Sequence, residues 1–180
     1  QNLANTAWSF SYLLVSHAPL LAAIASSSMR KIRHFQVQGI ANTAWSFAKL
    51  VMPDLTLLDA IASAAMARLQ AARWHSQNLS NTVWSFAALG VPNPPLLAAL
   101  SAAALPPLLQ FDVQALTSTA WSLAKLFVDD RPLLAAISAQ ALPRMPLFGP
   151  QALSNTAWSC ALLAFYAEPL CNALSAAAMK

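Results

Sequence analysis

Asn42-Thr43-Ala44-Trp45-Ser46-Phe47 has four close copies in this chain, which place tryptophan at positions 8, 45, 84, 121 and 158. Successive tryptophans are 37, 39, 37 and 37 residues apart. A period in that range marks a stacked array, in which one supersecondary unit is written several times and buries its apolar face against its neighbours. The units run approximately over 1–34, 35–73, 74–110, 111–147 and 148–180.

Each unit reads as two helices. The first begins after an aromatic residue at Phe35, Trp74, Phe111 or Phe148, and Asp112 and Gly149 stand at the cap position that follows. The Ile or Leu five residues beyond each aromatic, at 40, 79, 116 and 153, has the spacing of a hydrophobic staple. The second helix starts near Pro19, Thr56, Pro95, Pro132 and Pro169, with Asp54, Asn93 and Asp130 as caps. Proline is tolerated there because its missing N–H has no helical partner in a first turn. Leu20, Ile24 and Met29 and their counterparts form one apolar stripe on each second helix. The surplus of the second unit falls between Thr56 and Trp74, while Pro106-Pro107 and Pro143 with Pro146 end the later second helices early. The fold expected is all-α, a right-handed α-solenoid of about five helix-turn-helix repeats of 37–39 residues.

Composition excludes several classes. With 58% hydrophobic and 9% charged residues the chain has a mean hydropathy of +0.51, and no charged residue stands between Arg73 and Asp112. Five prolines and several Asn and Gln side chains interrupt that interval, so no membrane insertion is expected. Cys160 and Cys171 occupy places held elsewhere by Phe and Leu, which reads as buried, reduced thiols. The few carboxylates are dispersed, His17, His34 and His75 hold unrelated places in their units, and only three glycines occur. No catalytic residue, metal site or cofactor is expected, and the protein reads as no enzyme. Gln1 enters within a unit and Lys180 ends as abruptly, so the chain reads as a segment of a longer protein, with any targeting sequence outside it.

At 100° per residue, Gln38, Asn42, Ser46 and Lys49 share one sector of the first helix, with Ile40, Ala44 and Phe47 opposite. Each unit thus displays a polar ladder: Gln1, Gln38, Gln77, Gln114 and Gln151; then Asn5, Asn42, Asn81, Ser118 and Asn155; then Ser9, Ser46, Ser85, Ser122 and Ser159. Two readings stand. The ladder grips a polar polymer through amides, hydroxyls and the cations Lys49 and Lys125, or its side chains hold neighbouring units together. Its uniformity suits architecture or backbone contact better than base-by-base readout. The repeated Trp8, Trp45, Trp84, Trp121 and Trp158 lie at the border of the ladder and read as packing wedges between units. Four residues beyond them the chain varies, with Tyr12, Lys49, Ala88, Lys125 and Leu162.

Basic residues gather toward the ends of second helices: Arg30, Lys31, Arg33 and His34, then Arg68 and Arg73, then Arg144. Cations favour helix C-termini, and the same residues could form a phosphate-contacting edge. With a net charge of +4 and a pI near 9.5, an anionic partner is favoured. The RNA-binding candidates are therefore Lys49, Lys125, Arg30, Lys31, Arg33, Arg68, Arg73, Arg144, Gln38, Asn42, Gln77, Asn81, Gln114, Gln151 and Asn155.

Phe148-Gly149-Pro150-Gln151-Ala152-Leu153-Ser154-Asn155-Thr156-Ala157-Trp158-Ser159-Cys160-Ala161-Leu162-Leu163 resembles the octotricopeptide repeat helix, whose pattern is F-x-P-Q-x-L-A-N-x-x-W-A-x-A-x-L. Val91-Pro92-Asn93-Pro94-Pro95-Leu96-Leu97 is similar to a degraded form of that family's proline-rich segment, without its Glu and Trp. The resemblance spans the chain. It implies an RNA-binding α-solenoid of an organelle, mitochondrion or chloroplast. Its role would be in RNA maturation, stability or translation, or as a structural component of an organellar ribosome. Its partners would be single-stranded or ribosomal RNA and other proteins of a large ribonucleoprotein assembly. The rival reading is a protein–protein interaction scaffold within a large complex.

Overall fold

Each first helix from the second unit onward starts one residue after the N-cap that follows the marker aromatic. In the computed structural model, which describes residues 1–179, these helices are α3 (Val37–Lys49), α5 (Ser76–Leu89), α7 (Val113–Lys125) and α9 (Pro150–Leu162), preceded by α1 (Asn2–Tyr12). Phe35, Trp74, Phe111 and Phe148 stand just before the cap, with Ile40, Leu79, Leu116 and Leu153 at the fourth helical position. That is the staple geometry. The first three pairs are buried in one core and the last belongs to a smaller cluster under α9.

The second helices are α2 (Ala18–Lys31), α4 (Leu55–Ala71), α6 (Pro94–Ala104), α8 (Arg131–Ala141) and α10 (Glu168–Ala178). Asp54, Asn93 and Asp130 accept the N–H of Leu57, Leu96 and Leu133 at 3.0–3.1 Å. His17 does the same for Leu20 through Nδ1, at 3.2 Å. His17 thus holds the N-cap place of unit one, where the imidazole nitrogen substitutes for a carboxylate or amide oxygen, while His34 and His75 make no such bond. The extra residues of unit two lengthen α4, whereas α6 and α8 stop before their prolines and pass into 3-10 turns at Leu108–Gln110 and Leu142–Leu147.

The helices contact one another in two series. Each first helix packs on the next first helix, each second helix on the next second helix, and the two helices of every unit pack together. Among the described residues there are ten α-helices and no strand, and no helix is long and apolar enough to cross a membrane.

End effects reveal how one first helix meets the next. Thr43, Thr82, Thr119 and Thr156 are buried while Thr6 of the first unit is exposed; the serines after the tryptophans behave alike, with Ser9 exposed. These residues therefore face the preceding helix. Conversely Ala44, Val83 and Ala120 are buried and their counterpart Ala157 is exposed, as are Ala48, Ala87 and Ala124 against Ala161, so this edge faces the following helix. Small side chains on both edges let the helices approach closely. The hydroxyls are satisfied within their own helix, as Thr43 Oγ1 donates to the Gly39 carbonyl at 2.7 Å and Ser46 Oγ to that of Asn42 at 2.6 Å.

Candidate nucleic-acid interface

The ladder survives in part. Gln1, Gln38, Gln77, Gln114 and Gln151 are exposed, as are Lys49 and Lys125, and Asn42, Asn81, Ser118 and Asn155 are half-exposed. The serine rung is not outward: Ser46, Ser85, Ser122 and Ser159 lie in the seams. The reason is angular, since Ser46 sits about 80° round the helix from Gln38, within reach of the preceding helix. Trp45, Trp84 and Trp121 are partly covered, and Trp8 and Trp158 at the two ends are more open. The Trp121 and Trp158 rings meet across their seam with centroids 6.4 Å apart, and Trp8 stacks on Tyr12 at 5.4 Å. The outer face of a first helix thus carries Gln, Asn, one edge of Trp and the variable residue four beyond it. No carboxylate occurs on any first helix.

The basic residues divide by what they hold. Arg68 donates through Nη2 to the Arg33 carbonyl at 3.0 Å, and Arg144, in the matching place two units on, donates to the Leu109 carbonyl at 2.9 Å. Both are half-buried clamps onto the preceding unit. Arg131, which sequence reasoning passed over, pairs with Asp129 at 2.6 Å and reaches the Leu163 and Ala164 carbonyls at 3.3 and 3.4 Å. Arg30 bonds Ser26 and Ser27 of its own helix. Arg33 directs Nε at His34 Nε2, 3.2 Å away, and Lys31, Arg33 and Arg73 are exposed.

One place brings the two sets together. Between α1 and α3 a groove of about 130 Å³ is lined by Gln1, Asn5, Gln38 and Asn42 from the ladder and by His34 and Gln36 from the segment joining α2 to α3. Arg33 stands beside it through His34. Residues 1–53 carry Arg30, Lys31, Arg33 and Lys49 and no carboxylate, whereas six basic and six acidic residues balance over the remainder. The whole net charge of +4 thus falls within residues 1–53, which hold the groove. A charge count by unit would have shown this from sequence; the groove would not, because it depends on the lateral packing of two helices.

A cavity of about 320 Å³ carries Arg73 and Gln110 beside Trp74 and Pro106, and two larger ones are lined mainly by apolar side chains. Phe127, Leu97, Pro92 and Pro132 line one of about 510 Å³ with Asp129 and Asp130, and Ala157, Phe165, Leu174 and both cysteines line another of about 490 Å³. Cys160 and Cys171 are free thiols and half-buried, not buried as expected. Their counterparts in inner units are covered by a following helix pair, and among the described residues none covers α9. Burial pushes the Cys160 thiol up to about 11, with Cys171 adding to the effect. Among the described residues no three His, Cys, Asp or Glu side chains gather as metal ligands would.

A family model described as RNA-editing substrate-binding complex 6 protein matches residues 1–169. The chain belongs to that family. The match corrects the octotricopeptide resemblance, which rested on the Phe148–Leu163 helix and the proline-rich loop. The aromatic before the cap, the leucine at the fourth position and the small seam residues are what any helix needs to be stapled and closely packed in such an array, so they do not by themselves separate one repeat family from another. The ribosomal, rRNA and chloroplast expectations derived from that resemblance fall with it. No curated protein matches the chain.

Proposed function

We propose that this chain is a scaffold subunit of an RNA-editing complex, built as a right-handed solenoid of the five units set out above, which holds partner proteins and touches RNA at its first two units. The family description supports the assembly and its RNA context. The observation that carries the RNA contact is the segregation of the entire net charge into residues 1–53, beside a row of exposed amides. Cationic side chains there are placed to neutralise phosphates, and amides to bond sugar or base. Lys31, Arg33, Lys49, Gln38 and Asn42 are the residues assigned to that contact, with Lys125, Gln77, Asn81, Gln114, Gln151 and Asn155 extending the same face. Arg68 and Arg144 are assigned to the fold instead.

We assign the chain no catalytic step, since its carboxylates cap helices, pair with arginine as Asp129 does, or lie apart, and we place it in the mitochondrion with the RNA-editing machinery its family suggests. The scaffold role draws on the exposed apolar residues of the loops after the first helices, Leu14, Val51 and Phe127, which are 66–76% exposed and open to partner proteins. Titrating labelled single-stranded RNA with the protein over a salt series tests the RNA contact. Affinity is expected to fall steeply with salt and to weaken on Lys31→Glu with Arg33→Glu. Absence of binding at low salt would remove RNA from the reading and leave the protein scaffold.

A further inference from the structure

The geometry assigns the groove between α1 and α3 as a seat for one nucleotide of single-stranded RNA, kept open by Gly39. This rests on the RNA contact proposed above. Gly39 is the third residue of α3, inside a helix where glycine costs up to about 1 kcal/mol relative to alanine. Two ordinary reasons for a glycine are missing. Its backbone is helical, not left-handed, and an added Cβ would meet the Phe35 ring no closer than 3.4 Å, which is ordinary contact. Neither conformation nor core packing asks for it. The matching places in the other units hold Asn2, Asn78, Ala115 and Ala152, so the repeat itself accepts a side chain there.

What the glycine does leave is space in the wall of the groove, which it lines beside Gln38 and Asn42. The chemistry around that space is specific. Asn5, Gln38 and Asn42 each present a donor and an acceptor, the pairing a base edge or a ribose hydroxyl requires. His34 also lines the groove, and the Arg33 guanidinium, whose Nε donates to His34 Nε2 at 3.2 Å, supplies a cation for the adjoining phosphate. No carboxylate lines the groove to oppose that phosphate. Bases held in a duplex cannot turn their pairing edges into a groove between two helices, so the fitting ligand is an unpaired strand. An acidic peptide, which would use Arg33 and His34 but leave the amides' donor–acceptor pairs unmatched, fits less well.

The test uses the full 180-residue chain, fluorescein-labelled oligouridine and oligoadenosine as probes in anisotropy titrations at low salt, and thermal unfolding of the same samples. Gly39→Ala is expected to unfold no lower than the parent while binding both probes at least about fivefold more weakly, and Gln38→Ala to weaken binding with Tm unchanged. Arg33→Gln should lower the slope of log affinity against log salt by about one. Parent-like binding by Gly39→Ala would overturn the groove while leaving RNA contact elsewhere intact. Failure of the unmodified protein to bind either probe would overturn both readings. Displacement of the RNA by polyglutamate, with Gly39→Ala binding as the parent does, would give the surface to an acidic protein.

Discussion

The Ser46 hydroxyl donates to the Asn42 carbonyl at 2.6 Å, and with that bond made Ser46 is fully buried where α3 meets α1. The same bond recurs at Ser85, Ser122 and Ser159, always at 2.6 Å, so a short hydroxyl, and not an extended polar side chain, sets how closely successive first helices pack. Ser85→Ala keeps the volume small and should cost under about 1 kcal/mol in urea unfolding. Ser85→Leu drives a branched chain into the α3–α5 seam and should cost about 1–3 kcal/mol. A leucine variant as stable as its parent would mean the seam is looser than its burial states.

One or two residues beyond each first helix the backbone turns left-handed: Leu14 and Val51 at φ 54°, Gly90 at 67°, Phe127 at 55° and Ala164 at 47°. Closure by Val51 N–H to the Ala48 carbonyl and Met52 N–H to that of Phe47 is the Schellman pattern, which glycine meets at no steric cost. Valine and phenylalanine there are strained. Val51→Gly and Phe127→Gly should each raise stability by about 0.5–1 kcal/mol, and Gly90→Val should lower it by at least about 1 kcal/mol. Calorimetric Tm values check both signs. The strained residues being apolar and exposed, the glycine variants should also weaken capture of any partner protein that uses this rim.

Arg144 donates through Nη1 to the Gln140 carbonyl and side-chain oxygen, at 2.7 and 3.0 Å, and through Nη2 to Leu109 of the preceding unit. Both Arg144→Ala and Arg144→Lys should destabilise by about 1 kcal/mol, since a lysine cannot span the two directions at once. RNA affinity should be unchanged in the same variants, in contrast to Arg33→Gln. A loss of affinity without loss of stability would move Arg144 to the RNA-contacting set.

The Cys160 thiol, raised from its ordinary value of 9.0 to about 11, should react slowly with iodoacetamide. At pH 8 its thiolate fraction is about a hundredfold lower than in the urea-unfolded chain, and labelling followed by mass spectrometry should show a difference of that order. Because the folded value lies above the unfolded one, the neutral thiol's contribution to stability is complete below about pH 9. It is lost as pH rises from there through about 11. Cys160→Ser should flatten the alkaline limb of the stability profile over that window.

Much of the candidate site was legible from residue order, because the rules involved are local. Gln38, Asn42 and Lys49 fall on one side of a helix by phase alone, and the exposed Gln, Lys and half-exposed Asn side chains lie where that phase puts them. Ser46 did not, because whether a residue at the edge of a sector meets water or a neighbour depends on where the adjacent helix lies. Arg68 and Arg144 were indistinguishable from Arg33 in sequence; only the carbonyls brought to them by the preceding unit separate clamp from free cation. His17 was within reach of the sequence, since it stands in register with Asp54, Asn93 and Asp130, but an imidazole is an uncommon cap and its role was hidden by residue type.

Sequence by itself determined the period, the all-α class, the staples, the caps and the early ends of α6 and α8, because each follows from contacts within a turn or two of chain. It did not determine the family, because stapling and close packing ask for the same residue types in any stacked helix pair. Only the tertiary structure decided which edge of Asn42-Thr43-Ala44-Trp45-Ser46-Phe47 faces the preceding helix, which the following one and which the solvent. Those three directions are set by the angle at which α3 lies between α1 and α5, and no residue of the stretch encodes that angle alone.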